Sequence, residues 1–136
     1  MKISEIKIVE WFLRLSLSAG LLSAVADRFG LWDKAHSAWG NWENFVAYTK
    51  TLNPLFPNSV IPLLAGIATF LEIAFAVGLL LNFKTTLIAK ACGCLFLLFA
   101  FAMTFSNSII APLDYSAFCA SAAAFALSVI TQKQMK

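Results

Sequence analysis

Ile61-Pro-Leu-Leu-Ala-Gly-Ile-Ala-Thr-Phe-Leu-Glu-Ile-Ala-Phe-Ala-Val-Gly-Leu-Leu-Leu81 is an apolar run broken by one ionisable residue, Glu72, near its centre. A helix that crosses a bilayer needs roughly 20 mostly apolar residues. The run has that length, and Pro62 falls in its first turn, where proline is tolerated. Ser59 stands before it as a candidate N-cap. A lone carboxylate in hydrocarbon costs several kcal/mol unless it is paired or hydrated, so Glu72 is expected to face other helices rather than lipid.

Working outward, three more segments have the same character. The spans read as Lys7–Ala26, Val60–Leu81, Thr86–Phe105 and Leu113–Thr131. Asn82-Phe-Lys84 and Ser106-Asn-Ser108 are the polar breaks around the third, and Pro112 fits the first turn of the fourth. The whole chain has 136 residues, 60% hydrophobic and 12% charged, with mean hydropathy +0.80. Soluble domains carry about 25% charged residues, which excludes an ordinary soluble domain. The reading is a single all-α membrane domain over residues 1–136, a four-helix transmembrane bundle. The net charge of +3 is scattered and forms no basic stripe, so nucleic acid is not an expected partner.

The first span has a second reading as a secretory signal, with Ala24-Val-Ala26 imitating a cleavage site. Glu10 and Arg14 interrupt the would-be hydrophobic region, and a retained helix is the expectation. Lys2, Lys7, Lys84, Lys90, Lys133 and Lys136 gather at one side of the spans, while the other side carries Arg28, Lys34 and Lys50 in the loop Asp27–Ser59. The asymmetry places both termini in the cytoplasm and that loop outside. Within the loop, Trp39, Trp42, Phe45, Val46 and Thr49 recur at helical spacing, which predicts a short amphipathic helix resting on the outer interface or on the other helices. His36 is a solvated loop residue, and no second His offers metal-ligand spacing. Cys92-Gly-Cys94 is C-x-C rather than a redox C-x-x-C; it and Cys119 read as small buried hydrophobes, and a Cys94–Cys119 redox pair has no further support.

Each helix carries one small or polar face. On the first it runs Glu10, Arg14, Leu17, Leu21, Val25, Arg28; on the second Ala65, Ala68, Thr69, Glu72, Ala76, Leu79. The third presents Lys90, Gly93, Cys94, Leu97 and Phe101, and the fourth Asp114, Ala117, Ser121, Ala124 and Ser128. Taking 1.5 Å per residue, Arg14 lies roughly 10 Å above Lys7 and Glu72 roughly 14 Å above Leu81, which predicts an Arg14–Glu72 pair at the centre. Glu10 then matches Lys90 near the cytoplasmic boundary, and Arg28 matches Asp114 in an outer polar layer. Arg14, Glu72, Glu10 and Lys90 are the candidate polar core or ligand-binding residues. They serve either as glue fixing helix register or as the lining of a cavity that binds a head group or relays a proton. No catalytic residue is assigned.

Phe12-Leu-Arg14-Leu, Ala26-Asp-Arg-Phe-Gly30 and Leu71-Glu72-Ile followed by Gly78-Leu-Leu-Leu81 and a short basic turn resemble the DoxX family of small bacterial membrane proteins. The resemblance implies a four-helix membrane fold in the bacterial inner membrane, with Arg14 and Glu72 as family-like polar core residues. It implies a non-catalytic subunit or scaffold of a membrane redox or stress-linked assembly, with a membrane or soluble redox partner. The alternative it carries is a quinone-linked oxidoreductase component, holding a lipophilic ligand between helices near Arg14 and Glu72. A small-solute or proton carrier is the weaker alternative. No cofactor is evident in the residues themselves; quinone is the one the resemblance leaves open.

Overall fold

The computed structural model describes residues 3–135. Lys2 and Lys136, which enter the charge asymmetry, lie outside them. Six helices follow in order: α1 (Ile3–Arg28), α2 (Trp42–Leu52), α3 (Ile61–Leu80), α4 (Thr85–Ser106), α5 (Ile110–Asp114) and α6 (Ala117–Gln134). No strand occurs among the described residues. α1, α3 and α4 are each long and apolar enough to cross a membrane.

The local signals explain most boundaries. Glu5 in the first turn of α1 and Arg28 in its last complement the helix dipole. Asn41 caps α2 by accepting the Asn44 N–H at 2.8 Å. α3 starts on Pro62 in its first turn, but its N-cap is Val60 with no side-chain hydrogen bond, not the expected Ser59. The α3–α4 turn needs two left-handed residues, Asn82 (φ 60°) and Lys84 (φ 42°); Asn tolerates that conformation better than most. The fourth expected span is broken. Proline at 112 belongs to the short α5, and Ser116 turns left-handed at φ 55° before α6 begins.

α1 packs on α3 and α6, α3 on α4, and α4 most extensively on α6, while α2 lies against α1, α3 and α4. The core cluster is Leu17, Leu21, Ala76, Leu79, Ala89, Cys92, Ala124 and Leu127. The α4–α6 contact is close because Gly93 stands where a Cβ would meet the Phe125 ring at 2.9 Å. Ser121 Oγ donates to the Gly93 carbonyl there at 2.8 Å. Small residues at helix crossings allow this kind of approach.

The expected inward faces of α1 and α3 are the buried ones, save that Ala68 is half-buried, and on the last helix so are Ala117, Ser121, Ala124 and Ser128. α4 is rotated from expectation. Its buried stripe is Thr85, Ala89, Cys92, Gly93 and Ala100, so Lys90, Cys94 and Phe101 point outward. The aromatic stripe of the loop forms α2 as expected for Trp42, Phe45 and Thr49, whereas Trp39 precedes the helix and packs edge-on against Phe45 at 5.0 Å.

Candidate functional site

α1 and α3 run antiparallel with a register fixed by three polar contacts. Arg14 Nε donates to the Leu79 carbonyl at 2.8 Å, Ser18 Oγ to the Ala76 carbonyl at 3.0 Å, and Arg28 Nη1 to Thr69 Oγ1 at 2.8 Å. Arg14 is thus level with Leu79, seven residues beyond Glu72. At 1.5 Å per residue this is a displacement of about 10 Å.

The expected Arg14–Glu72 pair does not form. Side chains on a helix lean toward its N-terminus. In antiparallel helices this carries Arg14 toward the end that holds the chain termini and carries Glu72 the other way, toward α2. Arg14, 1% exposed, is held by Glu10 Oε1 at 3.2 Å, by Asn82 Oδ1 at 2.7 Å and by the Leu79 carbonyl, with the Trp11 ring 4.2 Å from its guanidinium carbon. Lys7 donates to the other Glu10 oxygen at 3.1 Å and to Gln134 Oε1 at 3.2 Å, tying α1 to α6.

Glu72 forms its ion pair with Arg28, and both side chains are buried. Arg28 leans back from the end of α1 to meet it. The guanidinium carbon lies 3.8 Å from the centre of the Phe45 ring and 5.4 Å from that of Trp39, so α2 and its approach cover the pair. Arg28 Nε has no acceptor among the described residues, and Glu72 Oε2 accepts no well-aligned hydrogen bond beyond the ion-pair contact. The aromatic faces supply part of the missing stabilisation, because a ring quadrupole attracts a cation over its face.

Asp27, one residue before, is a buried anchor that charge spacing alone misses. Its carboxylate accepts the backbone N–H groups of Ala38 (2.8 Å), Trp39 (3.1 Å) and Gly40 (3.2 Å). Three converging N–H donors bind an anion well. Gly30, at φ 73°, lets the chain turn beneath this tether, since a Cβ there would stand 3.0 Å from the Gly40 carbonyl oxygen. Neighbouring residues on a helix point about 100° apart, so Asp27 holds the loop while Arg28 holds α3. In the same aromatic cap, burial pushes the Tyr48 hydroxyl above its ordinary pKa, with Tyr115 a smaller contributor.

Two other expected layers are corrected. Lys90 is exposed and makes no pair with Glu10, whose oxygens go to Lys7 and Arg14. Asp114 is exposed at the end of α5 and takes no part in the Arg28 layer, because the break at Tyr115–Ser116 separates it from the buried stripe of α6. Cys94 and Cys119 are exposed and only Cys92 is buried; all three are free. His36 is solvent-exposed as expected and contacts Asp33 Oδ1 through Nδ1 at 2.6 Å.

Two shallow, open surface grooves lie among the described residues. One, of about 460 Å³, lies between α1 and the tethered loop and is lined by Gly20, Ser23, Ala24, Asp27, Trp32, His36, Ala38 and Trp39. The other, of about 300 Å³, lies where α4 begins and α6 ends. Neither is lined by Arg14 or Glu72. No family model, curated protein or solved structure matches the chain.

Proposed function

We propose that the chain is a DoxX-like four-helix membrane protein in which α1, α3, α4 and α6 cross the bacterial inner membrane, with both termini in the cytoplasm. Its role is that of a non-catalytic subunit or scaffold of a membrane redox or stress-linked assembly. The observation that carries this reading is that the buried charges find their partners within this chain, with Arg28 Nε and Glu72 Oε2 the polar atoms left without an aligned hydrogen bond among the described residues. Both buried arginines are held by groups of this chain: Arg14 by Glu10, Asn82 and Leu79, Arg28 by Glu72, Thr69 and two aromatic rings. A redox or transport site would leave a polar face open to substrate, whereas closed pairs fix helix register and hold the outer cap in place.

The outer cap then serves as the presenting surface. Phe29, Leu31, Trp32, Leu55 and Phe56 are exposed around it. Exposed apolar groups at the edge of a span either sit in the interface or meet a partner.

Native mass spectrometry of the protein extracted from its own membrane, with lipid extraction in parallel, tests the proposal. A stoichiometric partner protein without bound quinone is the expected result. Stoichiometric quinone and no partner protein would move the role to the ligand-binding alternative.

A further inference from the structure

The groove at the start of α4 has chemistry that the scaffold reading does not use. Its lining is Lys84, Thr85, Thr86, Leu87, Lys90 and Met135. The start of α4 and Met135, just past the end of α6, form its walls, and the lining Thr86 hydroxyl contacts that of Thr131 on α6 at 2.8 Å. Leu87 and Met135, 63% and 78% exposed, give it an apolar side. Lys84 and Lys90 give it two positive charges, and among the described residues neither lysine has a carboxylate within ion-pair distance.

Lys90 favours an anion there. It lies in the second turn of a helix apolar enough to cross a membrane, on a face turned away from the protein core. A charged side chain on that face reaches for the head-group layer, where water and lipid phosphates meet its charge. Its reach is toward the helix N-terminus, which is where Lys84 stands. The N-cap Lys84 gives no side-chain cap to the first N–H groups of α4, and their dipole adds to the same positive field.

We infer that this groove seats the headgroup of an anionic phospholipid, with Lys84 and Lys90 on its phosphate and the acyl chains running along Leu87. The inference rests on the proposal that α4 spans the bilayer with its start at the cytoplasmic leaflet, which is the anionic one in general. Basic pockets between spans on that side are suited to such lipids. Its apolar side favours a lipid over a soluble anion.

The test is native mass spectrometry of delipidated protein in neutral detergent, titrated with phosphatidylglycerol and with phosphatidylcholine of the same acyl chains. The wild type is expected to hold one phosphatidylglycerol about tenfold more tightly than phosphatidylcholine. Lys90→Gln should lose most of that preference and the Lys84→Gln, Lys90→Gln double variant all of it, while Lys34→Gln, which removes one charge from the far loop, keeps it. The wild type alone gives a second reading, since its preference should weaken as salt rises. An unchanged preference in the double variant, or displacement of the lipid by equimolar inorganic phosphate, would overturn the inference. Reconstitution into phosphatidylcholine vesicles separates the two levels. A protein that inserts but shows no preference overturns this inference alone; one that does not insert overturns the membrane reading and this inference with it.

Discussion

Arg28 at the end of α1 and Glu72 at the middle of α3 form a buried ion pair, roofed by the Phe45 ring 3.8 Å from the guanidinium carbon. The pair joins α1, α2 and α3 in one contact. Removing one partner leaves the other buried and uncompensated, which costs far more than the pair itself is worth. Glu72→Ala is expected to destabilise the protein by about 3–5 kcal/mol. Replacing both partners, Arg28→Met with Glu72→Leu, should recover much of that loss, because an apolar pair of similar size needs no desolvation. Thermal unfolding in detergent, followed by circular dichroism, checks both.

Asp27 should act locally. Replacing it with Ala removes the acceptor of three backbone N–H groups while leaving α1 intact. A cost of about 1–3 kcal/mol is expected. The larger sign should be faster hydrogen exchange at Ala38, Trp39 and Gly40 than in α3 or α4. Exchange at these three amides no faster than in the wild type would show that the tether does not exist.

Arg14→Lys keeps the charge but loses the planar fork that reaches Leu79, Asn82 and Glu10 at once. A loss of about 1–3 kcal/mol is expected, since Lys cannot reproduce several donors at fixed angles. Stability equal to wild type would mean that charge alone is required at this position.

Gly93→Ala places a methyl group 2.9 Å from the Phe125 ring. The ring or the helix must shift, and the cost should be about 1–3 kcal/mol. Gly20→Ala on the exposed side of α1, with nothing within 4 Å, should be neutral or slightly stabilising. The pair of unfolding midpoints separates close packing from helix propensity.

Much of the helical layout was legible because apolar length and polar breaks act locally. The second and third spans match α3 and α4 to within a residue at each end. The buried faces of α1 and α3 followed from residues recurring every three or four positions. The pairing did not follow. Depth measured from each apparent boundary treats helices as upright rods with level ends, whereas the contacts of Arg14, Ser18 and Arg28 set a register about seven residues away from that estimate. The lean of side chains toward the helix N-terminus was a usable signal, and it separates Arg14 from Glu72 in antiparallel helices. Lys90 was misplaced because one residue decides a helical face. Gly93 had to turn toward α6 and carried Ala89 with it, leaving Lys90 outside. The left-handed Ser116 that breaks the last span has no sequence signal as strong as Gly or Asn would give.

The register of α1 against α3 is the central claim, and paired double-mutant cycles test it most directly. One cycle combines Arg28→Met with Glu72→Gln; the other combines Arg14→Met with Glu72→Gln. Residues in contact couple by about 0.5–3 kcal/mol, and residues without shared partners add to within about 0.5 kcal/mol. The account predicts a coupling near the top of that range for Arg28 with Glu72 and none beyond error for Arg14 with Glu72. Strong coupling of Arg14 with Glu72, and none of Arg28, would contradict it.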